Sequence, residues 1–145
     1  MSGEVRVERV IAAPREEVFR AWTDPDELRR WWGPGEYATR HAEIDLRPGG
    51  AYLLVIQAAE GDPMHLAGTF QEVVAPARLV YSWRWVRGWS DPAESIVTVE
   101  FEDLGERTRV VLVQRGLEAS PDPDGYRMGW ESGLAKLAAT VSERS

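Results

Sequence analysis

The chain contains no cysteine. That absence excludes a disulfide framework, a thiolate metal site and a cysteine nucleophile, and it suits a reducing compartment. Asparagine is missing too, and Lys136 is the only lysine. A GC-rich coding bias towards arginine accounts for both. No apolar run is long enough to span a membrane, and the opening residues Met1-Ser2-Gly3-Glu4-Val5-Arg6 do not have the build of a secretory leader. The expectation is a soluble, cytoplasmic protein, monomeric or homodimeric. Positive charge is also in deficit, since 17 Lys and Arg face 24 Asp and Glu for a net charge of −7. The arginines are scattered among carboxylates, so a phosphate backbone is repelled and no nucleic-acid partner is expected.

The 145 residues are 43% hydrophobic and 28% charged, ordinary values for a globular fold. They suffice for a single domain over residues 1–145 that buries ~70% of its unfolded surface. Glu4 to Ile11 alternates, with Val5 and Val7 against Arg6 and Glu8, which predicts a half-buried strand. Ala13-Pro14-Arg15-Glu16-Glu17 then places proline at a helix start and acids in its first turn. Val18, Phe19 and Trp22 give that helix an apolar face, and Thr23-Asp24-Pro25 stops it. A second short helix, capped by Asp24, carries Leu28, Trp31 and Trp32 up to Gly33-Pro34-Gly35.

From Tyr37 the period is two. Strands are predicted at Tyr37–Leu46, Gly50–Gln57, Met64–Val74, Leu79–Val86, Ser95–Glu102 and Thr108–Arg115, with turns at Pro48-Gly49-Gly50, Glu60 to Pro63, Ala75-Pro76, Gly88 to Pro92 and Leu104-Gly105. Such short links favour antiparallel neighbours. After Ser120 to Asp124, the residues Trp130, Leu134, Leu137, Ala138 and Val141 recur at helical spacing, predicting a helix over Asp124–Glu143. That helix would span ~30 Å against ~33 Å for a ten-residue strand. The fold class is therefore α+β: a curved antiparallel sheet of six or seven strands wrapped around a long C-terminal helix, with two short helices after the first strand closing one end of an apolar groove.

The densest aromatic stretch, Leu79 to Trp85, puts Tyr81, Trp83 and Trp85 on one strand face with Leu79. They either fill the core or line a pocket, and a crowd of tryptophans, each with an N–H that needs a partner, suits a lined pocket. Phe101, Leu112 and Gln114 face them on neighbouring strands, and the amide of Gln114 must either satisfy local backbone or orient a ligand. Trp22, Trp32, Tyr52, His65, Tyr126 and Trp130 complete the candidate ligand-binding set.

The order Ile11-Ala12-Ala13-Pro14-Arg15-Glu16-Glu17-Val18-Phe19, Trp22 and Trp31-Trp32-Gly33-Pro34 resembles the SRPBCC superfamily. Asp45 to Gly50, Gly68-Thr69-Phe70, Pro76 to Trp83 and Gly129-Trp130 are similar to the branch named after the activator of Hsp90 ATPase. The resemblance implies a helix-grip fold, like that of START and Bet v 1 domains, with a cavity between sheet and C-terminal helix. It implies binding of lipids, polyketides or hormones, in some members cyclase chemistry, and in the namesake a chaperone partner.

No catalytic constellation emerges. His41 and His65 are the only histidines, none stands at metal-ligand spacing with a carboxylate, and no Gly-rich loop opens a helix as a phosphate cradle would. Glu43 and Asp45 share one strand face and read as solvated charges. No metal, nucleotide or other cofactor is expected. Three functions stay open: a small apolar ligand in the cavity; a chaperone or other protein partner on an exposed patch at Trp89 or Trp31-Trp32; or a cyclase or hydrolase using His65, Glu43 or Tyr126.

Overall fold

The computed structural model describes residues 3–33, 35–88, 93–118, 120 and 122–142. Met1, Ser2, Pro34, Trp89 with the turn residues after it as far as Pro92, Pro121 and the expected helix end Glu143 lie outside the described residues.

Seven strands form one antiparallel sheet: β1 (Glu4–Ile11), β2 (Ala38–Ile44), β3 (Ala51–Gln57), β4 (Met64–Val74), β5 (Arg78–Arg87), β6 (Glu94–Asp103) and β7 (Thr108–Arg115). Their order is β1-β7-β6-β5-β4-β3-β2, so β2 to β7 run as a meander and the first strand closes the far edge beside the last. Alternation explains that placement. Val5 and Val7 stand opposite Gln114 and Leu112, and all four side chains are buried on the same face. Register shifts put an extra residue into β2 between Thr39 and His41, into β4 between Phe70 and Glu72, and into β5 between Trp85 and Arg87, and these bulges bend the strands. Gly68 marks a close approach: a Cβ there would run into the Ser82 carbonyl and come within 2.7 Å of the Tyr52 ring. The Tyr52 hydroxyl uses that space to donate to the Ser82 carbonyl at 2.7 Å.

Among the described residues three helices join the sheet: α1 (Arg15–Thr23), α2 (Pro25–Leu28) and α3 (Pro123–Ser142). The Asp24 carboxylate accepts the Asp26 and Glu27 N–H groups, so it caps α2 as the sequence suggests. Regular helix then stops at Leu28, earlier than expected. Trp31 and Trp32 follow in hydrogen-bonded turns instead, because Trp31 is drawn away by its indole N–H, which donates to the Ala21 carbonyl of α1 at 2.9 Å. The Asp122 carboxylate accepts the Gly125 N–H at 3.0 Å and caps α3.

On α3, Trp130, Leu134, Leu137 and Val141 are buried and form the helix's inward face. Below them Trp22 stacks on Trp130 at 6.0 Å and meets Phe101 edge-on at 5.7 Å, while Phe19 meets Phe101 at 5.2 Å. The centre of the groove is thus filled with rings. Close backbone approach of α3 is to β1 and α1, and the Arg127 guanidinium donates to the Arg6 carbonyl at 2.8 Å. Room remains on the other side of the helix, towards the ends of β4 and β5.

Candidate ligand cavity

That room is a cavity of about 500 Å3 with one side open to solvent. Its floor is Trp32, Trp83 and Trp130, all at most 5% exposed. The end of β5 contributes Trp85, the start of β4 contributes Met64, and the segment after α2 contributes Trp31 and Tyr37. The wall on α3 comes from Gly125, Tyr126, Gly129, Ser132 and Gly133. Gly125, Gly129 and Gly133 recur every four residues and so share one helix face. A Cβ built on Gly133 meets nothing within 4 Å, whereas one on Gly125 would run into the Asp122 carboxylate that caps the helix. The cavity therefore exists partly because Gly133 carries no side chain, which composition and alternation did not single out although the four-residue spacing was legible.

The ring packing gives the cavity its shape. Trp83 meets Trp85 at 5.7 Å with planes at 88°, Tyr126 at 6.0 Å and Trp130 at 5.4 Å. Trp32 meets Trp130 at 6.2 Å with planes at 89°. The Trp85 indole N–H donates to the Tyr126 hydroxyl at 3.1 Å, joining β5 to the first turn of α3. The Trp83 indole nitrogen is buried among these rings without a hydrogen-bond partner. On the opposite rim, the Gly35 N–H donates to Ser132 Oγ at 3.0 Å. The Lys136 ammonium donates to the Tyr37 carbonyl at 3.1 Å and also to the Gly33 carbonyl. Burial lowers the Lys136 pKa from its ordinary value. Gly33 has φ +132°, and a Cβ there would sit 2.5 Å from the Tyr37 carbonyl oxygen, so this rim requires glycine.

Of the twelve expected site residues, Trp32, Trp83, Trp85, Tyr126 and Trp130 come together here. Trp22, Tyr52 and Tyr81 instead border a second space of about 20 Å3 beneath the floor, room for one water molecule. Burial raises the pKa of both tyrosine hydroxyls, with the Tyr81 charge adding to the effect on Tyr52 and the Trp22 indole opposing it on Tyr81. Four residues line neither space. Phe101 and Leu112 are solid core, at 1% and 0% exposure. His65 lies between the inward-facing Met64 and Leu66 and so points away from the cavity. Gln114 is fully buried, but it satisfies side chains and not backbone: its Nε2 donates to Ser95 Oγ at 2.8 Å, and its Oε1 accepts the Trp130 indole N–H at 2.8 Å.

The groups raised for chemistry are dispersed. Glu43 takes His41 at 2.6 Å and Asp45 takes Arg47 at 2.9 Å, all at the exposed surface. Among the described residues no three His, Asp or Glu gather where a metal ion could be held. Trp31 and Trp32 are 2% and 5% exposed, so this pair offers no outward patch. Trp89, the other patch residue, lies outside the described residues. No helix among the described residues is long and apolar enough to cross a membrane.

A seven-stranded antiparallel sheet gripping a C-terminal helix defines an α+β helix-grip protein of the SRPBCC type. Within that class the chain belongs to the family described as activator of Hsp90 ATPase homolog 1-like protein, whose model matches residues 12–142. A solved protein from Chromobacterium violaceum is similar to it at 33% identity and TM-score 0.87, over 96% of both chains. A solved AHSA1 protein from Silicibacter pomeroyi shares 28% identity at TM-score 0.86, over 98% of this chain and 99% of its own. One from Rhizobium leguminosarum shares 28% identity at TM-score 0.83, over 98% and 95%. No curated protein sequence matches the chain.

Proposed function

We propose that this protein binds a small, largely apolar molecule in the cavity between α3 and the ends of β4 and β5. The observation that carries this reading is the cavity itself: about 500 Å3 of space walled by indole rings, methionine and glycines of α3, with open space above Gly133. Ligand sites are concave, mostly apolar and largely pre-formed, in the range ~300–1,000 Å3. The SRPBCC type commonly binds hydrophobic ligands, which supports the same reading. Binding would release water from the apolar lining, the ordinary driving force for such association. Gly133 adds a steric element, because a flat or slender guest can lie against helix backbone where a side chain would otherwise stand.

Gly133 supplies the test. Gly133→Leu projects a side chain into the open space while improving helix propensity by up to ~1 kcal/mol, so the fold is kept and the cavity is filled. Apolar probes should quench tryptophan emission saturably in the unaltered protein and raise its melting temperature. A ligand at a hundredfold excess over Kd adds about 2.7 kcal/mol of stability. Gly133→Leu should melt as high or higher without probe and lose the probe response. Equal probe affinity in both proteins would show that the molecules bind elsewhere and overturn the assignment.

A further inference from the structure

The charges and ring geometry around the cavity select a kind of guest. Among the described lining residues the charged ones are Glu36 and Asp122, both acidic and both at the exposed rim. No arginine or lysine is among the described lining residues. The one nearby ammonium, on Lys136, is directed to the Gly33 and Tyr37 carbonyls. An anionic amphiphile would therefore meet two carboxylates and no counter-charge, and the net charge of −7 adds to that repulsion.

The walls favour the opposite sign. Trp83 and Trp85 meet edge to face at 88°, and Trp32 and Trp130 at 89°, so aromatic planes border the corner at several orientations. An aromatic face is the negative part of its quadrupole, and a cation within ~6 Å of the ring centre is attracted to it. A compact primary ammonium would need hydrogen-bond acceptors to replace its water. Away from the two rim carboxylates the walls supply few: the Tyr126 hydroxyl already takes the Trp85 N–H, and Ser132 Oγ already takes the Gly35 N–H. A quaternary or fully N-alkylated ammonium has no N–H to satisfy and a diffuse, weakly hydrated charge.

Building on the ligand-binding reading above, we infer that the guest is a hydrophobic organic cation, with its alkylated ammonium head held in the corner of Trp83, Trp85 and Trp130 and its charge facing the Glu36 rim. A matched pair of probes tests this: phenyltrimethylammonium and its uncharged isostere tert-butylbenzene differ in charge and hardly in shape. In tryptophan-quenching titrations of the intact protein, the cation should bind about tenfold more tightly, equivalent to ~1.4 kcal/mol and within the range of a partly desolvated cation–π contact. Glu36→Gln, at an exposed position, should weaken the cation by about two- to threefold at low salt and leave the isostere unchanged. Trp85→Leu should erase most of the difference between the two probes. If the isostere binds as well as or better than the cation, the charge assignment is overturned while the apolar-ligand reading stands. If neither binds at millimolar concentration to protein whose circular dichroism shows it folded, both readings fall.

Discussion

Trp130→Phe and Trp83→Phe form a controlled pair, since the two indoles lie 5.4 Å apart, are 5% and 4% exposed and line the same cavity. Each change removes the same atoms, so the lost burial and the added space should cost similar amounts. The difference lies in one hydrogen bond. The Trp130 N–H donates to Gln114 Oε1, and cutting it leaves a fully buried amide oxygen with no partner. The Trp83 N–H has no partner to lose. Orphaning a buried polar group costs about 1–3 kcal/mol, whereas removing a group that was already unsatisfied costs nothing on that account. Trp130→Phe should therefore be the more destabilising by about 1–3 kcal/mol in urea unfolding followed by far-ultraviolet circular dichroism. In a Ser95→Ala background, where removing Gln114 Nε2 leaves no buried hydroxyl behind, adding Gln114→Leu to Trp130→Phe removes both partners and should recover part of the loss. Equal costs for the two phenylalanine variants, or no recovery on adding Gln114→Leu in that background, would refute the claim that the Gln114 bond secures α3 to the sheet.

Three further outcomes follow from the packing. Leu137→Ala, at a fully buried position on α3, should lose about 2–5 kcal/mol in the same assay, and a loss under ~0.5 kcal/mol would mean the helix is not docked there. Gly133→Ala should raise the melting temperature, because the added methyl meets no atom within 4 Å and alanine favours helix by ~1 kcal/mol. For Tyr52 and Tyr81 the folded pKa lies above the ordinary 10.0, so the unfolded chain releases these protons first. Their contribution is complete below pH 10.0 and is lost as pH climbs above it, by up to ~1.4 kcal/mol per pH unit for each group. Denaturant titrations between pH 9 and 12 should show stability falling, and Tyr52→Phe or Tyr81→Phe should flatten the slope.

Strand positions were legible because a period of two is set by backbone geometry, and β1, β4 and β7 begin and end at the residues where the alternation does. The α3 face was legible for the same reason at helical spacing. What alternation cannot resolve is depth. Trp83, Trp85 and Phe101 all read as inward, yet the first two border a gap while Phe101 is locked between Phe19 and Trp22. Whether a ring faces a neighbour or a void depends on what stands opposite it across the sheet, and here that is a run of glycines on α3. The end of α2 was misplaced because a tertiary hydrogen bond from Trp31 to α1 overrides local helix preference. For His65, strand parity between the buried Met64 and Leu66 gives an outward side chain, a signal that was available in the alternation.

The scarcity of lysine has a practical consequence. Reagents that acylate side-chain amines find one address in this chain, Lys136, and burial lowers its pKa so that more of it is the reactive neutral amine at a given pH. Its nitrogen also ties the Gly33 and Tyr37 carbonyls to α3. Tethering the protein to a sensor surface, or tagging it with a dye, through that amine would unfasten one rim of the cavity at every modified copy. Attachment by an engineered cysteine on the exposed face of β2, in a chain that has no cysteine of its own, leaves the rim fastened.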